Sequence, residues 1–256
     1  MRLTVLGCSG GIGGQASRTT SFLLDHDTLI DCGTGVGDLS FDDLLKIDQI
    51  FITHSHLDHI AFLPLLVDTV AEARKQAITV FALPETIRIL RSHIFNWLVW
   101  PDFSAIPDRH DPFLRFQVLT VGETVRLSGG RRISALPAHH TVPACAYAID
   151  SGSGKLVYTG DTTYAGDLIE AINGLEDVRH LLIETAFSDG QHALAMAARH
   201  LCPSMLTAFL EELSIDPQVW ISHLKPGIEG KIMGEIHGYP GKKSPAMLRG
   251  GQILEF

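Results

Sequence analysis

His54-Ser55-His56-Leu57-Asp58-His59 follows directly on the apolar run Ile50-Phe51-Ile52-Thr53 and packs three imidazoles and one carboxylate into six residues. Side chains of like parity on an extended strand face the same way, so His54 and His56 can converge on one ion. If the chain then turns into a helix, Asp58 and His59 can reach toward a second. Imidazole with carboxylate, and no thiolate, suits zinc, manganese or iron. The competing reading, three histidines gathered by chance at a strand end, is disfavoured by the density of the cluster.

The chain has 256 residues, of which 45% are hydrophobic, enough to bury a full core, and no linker divides it, so it is read as one domain over 1–256. No apolar run approaches the roughly 20 residues that cross a bilayer, so no membrane partner is expected. The N-terminal Met1-Arg2-Leu3-Thr4-Val5-Leu6-Gly7 reads as a first strand, being too short and too soon followed by glycines for a signal peptide. Cys8, Cys32, Cys145 and Cys202 form no CxxC pair, which points to reduced thiols and a cytoplasmic protein, with an isolated disulfide left open. The net charge of −9 argues against a stable nucleic-acid partner, because the basic residues, Arg131-Arg132 and Lys242-Lys243 among them, are scattered. A small anionic ligand stays compatible, since bound metal ions can supply the positive charge that the surface lacks.

Outward from the hexapeptide, short apolar strand candidates alternate with helical patterns. Strands are predicted at 3–6, 21–24, 28–31, 50–53 and 78–81, then at 113–119, 125–127, 133–136, 144–149, 156–159, 180–184, 219–222 and 252–255. The period becomes helical over 57–75, with Ile60, Leu63, Val67 and Val70 on one face. Further helices are predicted from Pro84 onward and at 165–172, 192–200 and 204–213, and Ser151-Gly152-Ser153-Gly154 reads as a hairpin turn. This mixed hairpin-and-crossover grammar, used twice, fits two sheets between outer helices, an α/β sandwich.

Three more polar sites fall at strand ends: Ala138-His139-His140-Thr141-Val142-Pro143, Thr159-Gly160-Asp161-Thr162 and Ile221-Ser222-His223-Leu224-Lys225-Pro226. Functional loops of layered α/β proteins sit in such places. Alone, Asp161 fits an Asx turn or helix N-cap and His223 a capping histidine. Beside the hexapeptide they supply the ligands it lacks, with Asp161 suited to bridge two ions.

His-Ser-His-Leu-Asp-His, a later His before Thr-x-Pro, then Gly-Asp-Thr and a late Ser-His together resemble the metallo-β-lactamase superfamily, over nearly the whole chain. The resemblance implies an αββα sandwich, two mixed sheets flanked by helices, with a dinuclear metal site in the groove between them. It implies two divalent ions, Zn2+ or else Mn2+ or Fe2+. His54, His56 and His140 would hold the first, Asp58, His59 and His223 the second, with Asp161 between. His140 is preferred to His139 because it immediately precedes the Thr-x-Pro turn.

Leu57 within the hexapeptide is similar to the signature of class II 3',5'-cyclic-nucleotide phosphodiesterases. So are Gly7-Cys8-Ser9-Gly10-Gly11, Asp31-Cys32-Gly33-Thr34-Gly35 and the segment from His93 to Phe103. Phe62 departs from that pattern, standing where a small residue is usual. This branch implies hydrolysis of a cyclic nucleotide, cAMP or cGMP, to the 5'-nucleotide by an activated hydroxide. Asp58 would orient the nucleophile, and His200, oriented by Glu184, would protonate the leaving group. Candidate substrate contacts are Phe62, His93, Asn96 and Trp97, with Phe95 and Trp100 as further stacking candidates; core or oligomer packing is the plainer reading of each aromatic. The apolar segment 93–103 also suits a homodimer contact. Alternatives are a tRNase Z-like RNA 3'-processing endonuclease, which shares the ligands and a Glu/His pair, and a non-catalytic metal carrier on the same fold. Glu184 and His200 also have plain readings, as a surface ion pair and a histidine on a helix C-terminus.

Overall fold

The apolar runs of the first half become β1 (Arg2–Gly7), β2 (Ser21–Leu24), β3 (Thr28–Ile30), β4 (Gln49–Phe51), β5 (Ile78–Ala82) and β6 (Leu114–Val118) in a computed structural model describing residues 1–14, 16–240 and 244–256. Lys242 and Lys243 lie outside the described residues. The second half contributes β7 (Thr124–Arg126), β8 (Arg132–His139), β9 (Pro143–Asp150), β10 (Lys155–Tyr158), β11 (Val178–Glu184), β12 (Gln218–Ser222), β13 (Ala246–Met247) and β14 (Ile253–Glu255). They form two seven-stranded sheets, ordered β14-β1-β2-β3-β4-β5-β6 and β13-β12-β11-β10-β9-β8-β7. Each sheet is antiparallel toward one edge and parallel toward the other, β3 to β6 in one and β10 to β13 in the other.

Three apolar layers account for the stacking. Between the sheets, Phe22, Phe51, Phe81, Tyr147, Ile149 and Tyr158 form a common core, with Phe51 stacked on Phe81 at 4.6 Å. Outside the first sheet, Ile50, Ile52 and Val80 pack under the helix Leu63–Val70; outside the second, Val157, Leu181 and Ile221 do the same for its helices. Strands covered on both faces must be apolar throughout, which is why these runs are continuous rather than alternating. The αββα sandwich expected from the sequence is the fold observed.

The helices are α1 (Phe41–Leu44), α2 (Leu57–Ile60), α3 (Leu63–Val70), α4 (Pro84–Ile89), α5 (Gly166–Asn173), α6 (His192–Ala198), α7 (Pro203–Glu211) and α8 (Glu229–Gly238). The single helix expected over 57–75 is broken after Ile60. Its backbone is diverted: the Cys32 N–H donates to the His59 carbonyl (2.7 Å) and the Phe62 N–H to the Cys32 carbonyl (2.9 Å). α2 is therefore one turn pinned to the end of β3, which holds the second half of the hexapeptide at the sheet edge. α1, α8 and β13 are absent from the sequence expectations. The four cysteines are free. Among the described residues no single helix is long and apolar enough to cross a membrane.

A polar clasp joins the two sheets away from the hexapeptide. Arg131, before β8, donates to Asp27 at 2.8 and 2.6 Å and to Asp25 at 3.2 Å in the β2–β3 turn.

Candidate metal centre

The ends of β4, β8, β10, β11 and β12 meet at one rim of the inter-sheet groove, and each delivers a polar side chain there. The hexapeptide is anchored from the opposite sheet, where the Tyr147 hydroxyl donates to the Ile52 carbonyl (2.8 Å) and the Cys145 N–H to that of Thr53 (3.1 Å). Gly160, at φ 61°, turns the chain sharply after β10 and presents Asp161. The N–H of His223 donates to the Cys8 carbonyl (2.7 Å). Gly10 is required beside it, since a Cβ there would lie 2.8 Å from His223 Cδ2.

Two groups of donor atoms result, each with its atoms within 4.8 Å of one another: His54, His56, His140 and Asp161, and Asp58, His59, Asp161 and His223. Asp161 belongs to both. Its Oδ2 lies 3.7 Å from His54 Nε2, 4.0 Å from His140 Nε2 and 3.4 Å from His59 Nε2, while Oδ1 lies 3.2 Å from His223 Nδ1. The structure thus brings together all seven residues named as ligand candidates. The ring of His139 instead faces Asp167 of α5 (2.8 Å), and its main chain braces the Asp161 loop through Thr162 Oγ1 and Thr163 N–H.

The donor set fits divalent metal. His54 Nε2, His59 Nε2, Asp161 Oδ1 and His223 Nδ1 are buried without a hydrogen-bond partner. Leaving such groups unsatisfied costs about 1–3 kcal/mol each, a cost that a shared cation removes. Protonation states agree for four of the five histidines, His59 being the exception. Burial holds His54 well below the ordinary imidazole range, lowers His56, and pushes His140 and His223 down to about 4, so their lone pairs are free. Burial opposes the charge on His59 too, but Asp161 and Asp31 outweigh it and raise its pKa well above the usual value. Burial likewise disfavours ionised Asp161, yet His223 and His59 hold its pKa well below the carboxylate range.

Two buried carboxylates outside the donor groups orient them. Asp31, at φ 57° just after β3, accepts from His59 Nδ1 (2.7 Å), the Thr53 N–H (2.8 Å) and the Thr53 hydroxyl (2.9 Å). With that hydroxyl hydrogen spent on Asp31, Thr53 Oγ1 accepts from His54 Nδ1 at 3.0 Å. One carboxylate therefore fixes the tautomer of a histidine in each group, leaving Nε2 toward Asp161. On the other sheet, Glu184 accepts from His200 Nδ1 (2.7 Å) and from the N–H groups of Thr162, Ala186 and Leu201. The His200 ring packs 4.7 Å from His140 and 5.2 Å from His223. Burial works against its charge, but Glu184 more than compensates and raises its pKa. Asp31 is the orienting residue that the sequence reading misses as a site residue; its signals are an acid at the end of an apolar strand and its place in the Asp31-Cys32-Gly33-Thr34-Gly35 stretch.

The candidate substrate contacts differ in exposure and packing. His93 and Trp97 are exposed on the segment after α4. The Asn96 carboxamide bonds within that segment, to Ser92, Leu98 and Val99. Phe62 is half-buried against the outer core, its ring closing on Gly37. Phe95 is fully buried and packs edge-on against Phe116 at 6.0 Å, which corrects its reading as a stacking platform.

Comparisons with known proteins agree with this geometry. Residues 26–223 match the family model described as a beta-lactamase superfamily domain. A probable 3',5'-cyclic-nucleotide phosphodiesterase of Yersinia pestis is 27% identical over 209 residues, covering 72% of this chain and 59% of the relative. The chain thus spans less than two thirds of that relative's length. The crystal structure of unliganded yeast PDE1 superposes with a TM-score of 0.83 at 19% identity, covering 100% of this chain and 99% of that one. Human tRNase Z, short form, gives 0.71 at 19%, covering 100% and 99%. At such identities the structural likeness is of fold alone.

Proposed function

This chain belongs to the β-lactamase superfamily as a metallo-hydrolase, and from that premise we propose that it hydrolyses 3',5'-cyclic nucleotides to 5'-nucleotides at a centre of two divalent ions. The observation that carries the reading is His200. It is a buried imidazole, raised in pKa by Glu184, packed against one histidine of each donor group. A phosphodiester leaves as an alkoxide and needs a proton donor beside the metal site, which a plain metal carrier does not. The likeness to the Yersinia pestis protein supports the choice of ester.

His54, His56 and His140 would hold one ion and Asp58, His59 and His223 the other, with Asp161 between. Divalent ions so held supply Lewis acidity toward the phosphoryl oxygens and lower the pKa of the attacking water. Asp58, half-buried, orients that water and takes up its proton. As the new P–O bond forms, the P–O3' bond breaks opposite it, and His200 Nε2 delivers its proton to O3'. Its Nδ1–H stays on Glu184, so the ring is held in place through the transfer.

An RNA-processing activity like that of tRNase Z would use the same donors. Against it stands the net charge of −9 and the pairing of Arg18, Arg74, Arg131 and Arg132 with carboxylates, which leaves those guanidinium groups spent. A side-by-side assay of cyclic AMP, cyclic GMP, a 2',3'-cyclic nucleotide and pre-tRNA with the metal-loaded protein decides the matter. Release of 5'-nucleotide from the 3',5'-cyclic substrates with the highest kcat/KM is expected. Faster cleavage of pre-tRNA, or turnover of none, would overturn the proposal.

A further inference from the structure

Arg199 ends α6 in the left-handed region, at φ 52° and ψ 49°. There a Cβ crowds the neighbouring carbonyl, and glycine is the usual occupant of such a helix end. An arginine kept at this position implies that its side chain does something that glycine would not. What it touches is His140. The Arg199 carbonyl accepts from His140 Nδ1 at 3.1 Å, and the Arg199 guanidinium donates back to the His140 carbonyl at 2.9 Å. One residue therefore grips both the ring and the main chain of a donor 59 positions away.

The first of these bonds sets the tautomer of His140. With Nδ1–H donated to the carbonyl, Nε2 is the free atom, and it lies 3.0 Å from His56 Nδ1 in the first donor group. The second bond ties the loop after β8 to the end of α6. It is the only hydrogen bond of the Arg199 guanidinium among the described residues, and no carboxylate pairs with it. The next residue is His200, whose ring lies against that of His140. Helix end, proton donor and metal ligand are thus one connected unit.

We propose that Arg199 is a positioning residue for His140. Its left-handed backbone aims the carbonyl that fixes the ring, and its guanidinium closes the His140 loop onto the donor site. The inference rests on the donor groups taking metal and not on the identity of the ester hydrolysed.

The test needs no substrate. R199G keeps a backbone that favours the left-handed turn and keeps its carbonyl while removing the side chain that carries the guanidinium, so folding is not at risk. Thermal unfolding and titration with Co2+ alone, followed by its visible absorption, are compared for wild type, R199G and R199K. The expected result is a Tm for R199G at or above that of wild type, with one Co2+ bound about tenfold more weakly and its visible band altered, as for other residues that orient metal ligands. R199K, which can still donate to the His140 carbonyl, is expected to recover part of the affinity. Wild-type Co2+ affinity and spectrum in R199G would overturn the proposal. So would a fall in Tm matching the loss of affinity with no recovery in R199K, because that marks a merely structural role. Failure of wild type to bind Co2+ would overturn it together with the metal reading, whereas absence of cyclic-nucleotide turnover would touch the ester alone.

Discussion

At the scale of single residues, the centre is governed by two buried acids that need touch no ion. Asp31 serves the loop from the first sheet and Glu184 the loops from the second. Both are fully buried, and burial raises the pKa of each against the pull of its histidine. Asp31→Asn replaces an acceptor-only group with one that must aim N–H groups at existing donors. A stability loss of about 2–3 kcal/mol is expected, from buried polar groups left unpaired. Metal affinity should fall by about 10- to 100-fold as His59 and His54 lose their fixed tautomers. Chemical denaturation and metal analysis after dialysis measure the two effects, and an unchanged metal content would refute the orienting role. His200→Gln tests the other acid's partner. Here kcat for a cyclic nucleotide should drop by about 10²- to 10⁴-fold, the usual worth of a general acid, while bound metal is retained. Metal lost in proportion to activity would make His200 a ligand or a packing residue.

At the scale of elements, what the sequence makes legible depends on whether local pattern and tertiary context agree. The strands are legible because their apolar runs are covered on both faces, and Ser151-Gly152-Ser153-Gly154 because it joins β9 to β10 as a hairpin. The donor residues are legible because imidazoles and carboxylates at strand ends are chemically conspicuous. The break between α2 and α3 is not, since it is imposed by Cys32, far away in sequence. α8 is hidden by Gly230, Gly234 and Gly238, poor helix formers that the burial of Ile232, Met233 and Ile236 overrides. Asp31 and Arg199 act through contacts 28 and 59 residues away, which no local pattern shows. The Arg131 clasp belongs to this scale as well, because it joins the β2–β3 turn to β8. Burial pushes the Asp27 carboxyl up, but hydrogen bonds from Arg131 and Thr28 outweigh it and leave the pKa below the ordinary value. A depressed carboxylate contributes stability above its unfolded pKa and loses it as pH falls through the folded one. Asp27→Asn should therefore cost about 2 kcal/mol near neutrality, as expected for a partly buried charge-assisted pair. The difference from wild type should fade once the pH drops below about 4, the unperturbed aspartate range. A deficit that persists undiminished in acid would show that packing, not the ion pair, carries the effect.

At the scale of the whole molecule, the donor groups draw on both sheets. His54, His56, Asp58 and His59 follow β4 of the first sheet, while His140, Asp161 and His223 follow β8, β10 and β12 of the second. An ion in either group is then a cross-link at the rim of the sandwich, opposite in kind to the largely apolar core between the sheets. Such an ion also quenches the buried, unpartnered nitrogen and oxygen atoms that otherwise weaken this rim. Because the folded state alone assembles these donors, free Zn2+ at a thousand times its Kd should stabilise the fold by about 4 kcal/mol. In a chain of this size that corresponds to a rise in Tm of roughly 10 °C over protein treated with a chelator. His56→Ala, which removes a half-buried ligand and little packing, should shrink that rise without lowering the Tm of the chelated protein by much. Differential scanning calorimetry of the four samples makes the comparison. Equal Tm values with and without Zn2+ in the wild-type protein would mean that no ion bridges the sheets, whereas a full response surviving in His56→Ala would place the stabilising ion in the second donor group alone.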